Sequence, residues 1–195
     1  MPDAALGPGI DHAEDVTYAL FRVADSGNDR IMSAIDDFVR NAKQYATTFH
    51  KGNLLSPPAQ RVAIVACMDA RLNPYGLLGL SEGDAHVIRN AGGVITADGI
   101  RSLSISQRLL RTEEIMLIHH TDCGMLTFTD EQFRDRLRAD TGVEPDWDAG
   151  AFADLDEDVR ESIKRIKANP FIPHTDVVRG FVYDVQTGAL REVQP

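Results

Sequence analysis

Two short stretches of this chain carry residue types that hold metal ions or move protons: Cys67-Met68-Asp69-Ala70-Arg71 and His119-His120-Thr121-Asp122-Cys123-Gly124. Together they contain both cysteines of the sequence. His120 and Cys123 have the spacing at which an imidazole ending a strand and a thiolate in the following loop close around one ion. Zinc takes two thiolates and an imidazole readily and accepts a carboxylate, here Asp69, as a fourth ligand. If extended geometry persists past Cys67, side-chain alternation sends Cys67, Asp69 and Arg71 to one side while Met68 and Ala70 turn away. Thiol, carboxylate and guanidinium then converge. Taken singly, a cysteine at a strand end is more often a small buried apolar residue than a ligand, and a single histidine is often only hydrogen-bonded. Two cysteines at equivalent strand ends, each with polar neighbours at ligand spacing and no other thiol in the chain, favour the metal.

The elements that must position these residues are legible in the apolar pattern. Val62 to Cys67, Ala85 to Ile88 and Ile115 to His119 are short β-branched-rich runs, and helix-like Pro74 to Leu80 and Ile100 to Leu110 lie between them. Strands alternating with helices imply an α/β fold, a mainly parallel sheet flanked by helices. Both chemical stretches then stand at the carboxyl ends of strands, the edge where open α/β sheets bind ligands. Asp130 to Asp140 and Leu155 to Ala168 are further helices, the second with Leu155, Val159, Ile163 and Ile166 on one face and Asn169-Pro170 as its stop. Val177 to Val185 and Ala189 to Val193, joined by Gln186-Thr187-Gly188, read as a strand, a turn and a C-terminal edge strand.

Ahead of this core, Ile35, Phe38, Val39, Ala42, Tyr45, Ala46 and Phe49 form a stripe at helical spacing, and Ser33 with Asp36 resembles a capping box. This N-terminal helical arm either packs on its own chain or reaches to a partner. Three regions follow: residues 1–30 as a poorly ordered extension, 31–56 as the arm, and 57–195 as the zinc-binding catalytic core.

Composition excludes several classes. The net charge of −10 and the lack of any Lys/Arg cluster argue against nucleic acid. The apolar runs are far shorter than the roughly 20 residues needed to cross a bilayer. The first ten residues lack a basic region and no apolar stretch follows, so a secretory signal is not expected and the cytoplasm is the expected location. A reducing compartment keeps both cysteines as thiols. A cysteine phosphatase loop requires arginine six residues after its cysteine, where this chain has Asn73. There is no C-x-x-C dithiol, and Gly92-Gly93 is too little for a phosphate-binding loop.

Cys67-x-Asp69-x-Arg71, then Gly83-Asp84-Ala85-His86-Val87-Ile88-Arg89-Asn90-Ala91-Gly92, then His120-x-x-Cys123-Gly124 resembles the β-class carbonic anhydrases from about Arg61 to Gly124. The resemblance implies one zinc per subunit held by Cys67, His120 and Cys123, with Asp69 either completing the tetrahedron or yielding to water, and Asp69 with Arg71 forming a catalytic dyad. It implies a lyase that reversibly hydrates carbon dioxide to bicarbonate and a proton through zinc-bound hydroxide. A homodimer or larger homo-oligomer, with the N-terminal helix embracing the neighbour, is also implied. The chain departs from the family where many plant-like members place a substrate-contacting glutamine nine residues before the first cysteine: Pro58 stands there, with Gln60 displaced. Two alternatives stay open, a carbonyl sulfide or carbon disulfide hydrolase on the same scaffold and a structural zinc protein with Asp69 permanently ligated.

Overall fold

The computed structural model describes residues 33–194. They divide between Gly52 and Asn53 into two compact units. In the first, helix α1 spans Ala34–Thr48 and opens with a complete capping box: the Ser33 hydroxyl accepts from the Asp36 amide while the Asp36 carboxylate accepts from the Ser33 amide. None of its residues is buried, and Ile35, Phe38, Val39, Tyr45 and Phe49 are all about half exposed or more. The expected extension over residues 1–30 lies outside the described residues.

The second unit runs β1 (Val62–Cys67), α2 (Pro74–Leu78), β2 (Ala85–Asn90), a 3-10 turn at Ala91–Gly93, α3 (Ala97–Leu110), β3 (Glu114–His120), a 3-10 turn at Gly124–Leu126, α4 (Asp130–Thr141), α5 (Leu155–Lys167), β4 (Val178–Tyr183) and β5 (Leu190–Val193). The strands lie in the order β2-β1-β3-β4-β5, all parallel except the antiparallel β5 at the edge. This is the expected α/β architecture with its C-terminal edge strand. Each crossover helix returns the chain to the same end of the sheet, so the carboxyl ends of β1 and β3 become immediate neighbours.

The two central strands are apolar on both faces because both faces are covered. Ala63 and Val65 of β1 with Ile115 and Leu117 of β3 pack beneath α5 residues Val159, Ile163 and Ile166. The alternate residues Ile64, Ala66 and Ile118 meet Leu72, Met125 and Phe152 on the opposite face. Gly180 of β4 is required by this closeness, since a Cβ there would overlap the Val159 side chain.

Boundaries differ from expectation where polar residues finish an element. β2 extends two residues further, through Arg89 and Asn90, because these still pair with Ala66 and Cys67 of β1. α3 starts at Ala97 rather than Ile100, since the Thr96 hydroxyl caps it by accepting from the Gly99 amide. α2 stops at Leu78, where Gly79 takes the left-handed conformation that closes the helix.

Candidate metal centre

β1 delivers Cys67 to the sheet edge and then stops. The strand-like alternation expected for Cys67, Asp69 and Arg71 does not continue: the chain turns after Met68, with the Leu72 amide donating to the Asp69 carbonyl at 3.1 Å. The convergence survives by another route. The Asp69 carboxylate folds back as an acceptor for the Arg71 backbone amide at 2.8 Å and for the guanidinium through Nε at 3.0 Å and Nη2 at 2.8 Å. Arg89 of β2 fastens the same turn from below. It donates to the Cys67 carbonyl through Nε and Nη2 at 2.9 and 2.6 Å, and to the Asp69 carbonyl at 2.7 Å. The 3-10 turn after β2 lies so close that a Cβ on Gly93, whose φ is +74°, would stand 2.9 Å from the Cys67 amide nitrogen.

β3 delivers the histidine. His120 is fully buried, and its Nδ1 stands 2.8 Å from the Thr121 carbonyl, an acceptor that fixes Nδ1 as the protonated nitrogen. Nε2 is then a bare lone pair, buried and without a hydrogen-bond partner among the described residues. The strand end is anchored by the Thr121 amide donating to the Tyr183 carbonyl, and the Thr121 hydroxyl accepts from the Val185 amide. Asp122 follows in the left-handed conformation, φ +55°, and reverses the chain so that Cys123 faces back toward Cys67.

The donor atoms of Cys67, His120 and Cys123 lie within 4.8 Å of one another and all three residues are buried. An Asp69 carboxylate oxygen stands 3.7 Å from His120 Nε2. Two sulfurs, one imidazole nitrogen and a neighbouring carboxylate are the donor set that zinc prefers, and the orphaned Nε2 is the atom such an ion satisfies. The protonation pattern agrees. A hydrogen bond from Cys123 holds the Cys67 thiol well below its ordinary value, and the same pairing with the Cys67 thiolate pushes Cys123 up. Against the desolvation that burial imposes, the adjacent Cys67 thiolate raises His120. The Arg71 guanidinium holds Asp69 far below the usual carboxylate range, so it is ionised at any physiological pH.

Comparison with known proteins gives this geometry its family. Residues 62–190 match the family described as carbonic anhydrase. The chain belongs to the β-carbonic anhydrase family. It is similar to beta-carbonic anhydrase 1 of Mycobacterium tuberculosis, 56% identical over 164 residues that cover 84% of this chain and all of the relative. A crystal structure of carbonic anhydrase from Streptococcus mutans superposes with a TM-score of 0.79 at 46% identity, covering 85% of this chain and 100% of that one. A carbon disulfide hydrolase of an Acidianus species is also similar, at 34% identity over 81% of this chain and 88% of its own.

All five residues singled out by motif, Cys67, Asp69, Arg71, His120 and Cys123, meet at one place. The position where a glutamine was sought is different: Pro58 is buried, and Gln60 is an exposed residue whose backbone amide pairs with the Asp84 carbonyl. Two further histidines lie near these strands: His86 stands 2.7 Å from the Ser106 hydroxyl, and His119 is fully buried against Asp158. Motif reading passed over Arg89, Gly93 and Asp122, although Arg89 and Gly93 lie in or beside the stretch that carried the resemblance.

Proposed function

We propose that the chain catalyses the reversible hydration of carbon dioxide to bicarbonate and a proton, with one zinc per subunit held by Cys67, His120 and Cys123. The observation that carries this reading is the ionised Asp69 carboxylate, clamped through both oxygens by Arg71 and placed 3.7 Å from the unpartnered Nε2 of His120. A purely structural zinc site has no use for a guanidinium that withdraws the fourth ligand. When bound, zinc supplies the Lewis acidity that makes water a nucleophile, less strongly under two charge-neutralising thiolates than under three histidines, where the pKa is about 7.

The protein's own groups do the remaining work. Asp69, held as a carboxylate, accepts a hydrogen bond from the attacking water oxygen and so turns a lone pair toward the substrate carbon. Arg71 keeps that carboxylate from rotating onto the metal position, through a charge-assisted bidentate contact. Arg89 prevents the turn carrying both residues from opening. The product proton leaves to solvent or buffer.

Assembly into a homodimer or larger homo-oligomer belongs to the same reading, supported by the exposed apolar residues of α1. A cytoplasmic location is supported by the two free thiols, which a reducing compartment preserves. Among the described residues, no helix is long and apolar enough to cross a membrane. The test of substrate is a side-by-side assay at equal zinc content, bicarbonate formation from carbon dioxide against sulfide release from carbon disulfide and carbonyl sulfide. Hydration of carbon dioxide without comparable sulfide release is expected; the reverse preference would move the chain to the sulfur-hydrolase reading.

A further inference from the structure

The guanidinium of Arg71 is held from two sides. Beyond its two bonds to Asp69, its Nη1 donates to the Asp122 carboxylate at 2.7 Å and its Nη2 donates to the Asp122 carbonyl at 3.0 Å. Four of the five N–H groups of the guanidinium are thus directed, two at each aspartate, and the planar fork cannot pivot about its bond to Asp69 without breaking the bonds to Asp122. The two aspartates come from different loops. Asp69 follows Cys67 at the end of β1, and Asp122 stands immediately before Cys123 beyond β3. Arg71 therefore ties together, by direct hydrogen bonds, the two loops that supply the sulfurs. Asp122 reaches it only because its backbone adopts φ +55°, a conformation that aspartate, asparagine and glycine tolerate better than other residues.

We propose that Asp122 is a positioning residue for this site: it holds Arg71, and through Arg71 both the orientation of Asp69 and the spacing of the two cysteine loops. This rests on the role given to Asp69 and Arg71 above. The backbone of Asp122 turns Cys123, but its carboxylate is given Arg71 as hydrogen-bond partner, so the effect of the side chain passes through Arg71. A residue that merely shaped its own loop would act whether or not Arg71 was present.

The test is a double-mutant cycle on zinc-loaded full-length protein, using Asp122→Asn, Arg71→Ala and the pair. Asparagine keeps the left-handed backbone and the size of the side chain while removing the charge. Asp122→Gly is the second variant, keeping the backbone free but deleting the side chain, and thermal unfolding confirms that each protein is folded. Two quantities are read: zinc affinity by chelator competition, and kcat and KM for carbon dioxide hydration. In the parent background Asp122→Asn and Asp122→Gly should each lower zinc affinity and kcat by roughly 10-fold, as loss of an outer partner of a metal site typically does. In the Arg71→Ala background both replacements should change zinc affinity and kcat by less than about 2-fold. Equal losses in the two backgrounds, or no loss in the parent, would overturn the proposal. Chelator competition needs no turnover, so a parent protein inactive on carbon dioxide would sink the functional reading while leaving the Asp122 result readable.

Discussion

His119 and His120 are consecutive residues of one strand, both fully buried, and they have opposite assignments. Strand alternation sends them to opposite faces of the sheet. His119 reaches α5, its Nε2 donating to the Asp158 carboxylate at 2.6 Å, and its ring also lies 5.7 Å from that of Phe152. His120 ends the strand at the carboxyl edge of the sheet, where its donor atom joins those of Cys67 and Cys123, with Nδ1 tied to a carbonyl and Nε2 left without a hydrogen-bond partner. Burial and residue type are the same for both. Each ring has one nitrogen hydrogen-bonded and the other buried without a partner among the described residues, so what separates a structural histidine from a candidate ligand is what gathers round it: only His120 has its donor atom grouped with the sulfurs of Cys67 and Cys123.

The comparison breaks most sharply under replacement of each ring. His120→Ala should abolish stoichiometric zinc and reduce carbon dioxide hydration by at least about 100-fold, measured by metal analysis and stopped-flow assay. His119→Ala should retain one zinc per chain yet lose about 2–4 kcal/mol of stability, because it leaves a cavity and an unpaired carboxylate at Asp158. Denaturant unfolding checks this, and loss of zinc in His119→Ala with unchanged stability would erase the distinction. The gentler Asp158→Asn, which keeps an acceptor for His119, should cost only about 1 kcal/mol.

On the His120 side, Arg71→Ala should lower kcat by about 10- to 100-fold while zinc stays bound, since Asp69 then becomes free to turn toward the metal position. Unchanged turnover would remove Asp69 and Arg71 from the mechanism. The smallest expected signal is a proton count. Cys123 is raised and must lose its proton to bind metal, while Cys67 is lowered and already a thiolate. Zinc binding near pH 7 should therefore release about one proton, and affinity should rise with pH. Titration calorimetry in buffers of different ionisation enthalpy measures the release, and a pH-independent affinity would contradict this protonation pattern.

Much of this was legible in the sequence because the informative signals are local. The strand ends at Cys67 and near His120, the spacing of His120 to Cys123, and the capping box of Ser33 and Asp36 each need only a few neighbouring residues. Arg89 was not legible as a clamp, since an arginine on a strand reads as a solvated charge until Cys67 is known to lie beside Asn90. The partner of His119 comes from α5, and periodicity does not report which helix face covers which strand. The turn after Met68 also escaped, because alternation predicts the direction of side chains only while the backbone stays extended. Asp122 offered a faint signal, an aspartate between two candidate ligands, and its left-handed backbone gives that signal a physical meaning.

The most direct test of the whole account is the stopped-flow rate of carbon dioxide hydration per mole of bound zinc, at pH 7 and again near pH 9, about where free aqueous zinc deprotonates its water. The account predicts a rate proportional to zinc content that rises clearly between the two; fully zinc-loaded protein that hydrates no carbon dioxide at either pH would contradict it.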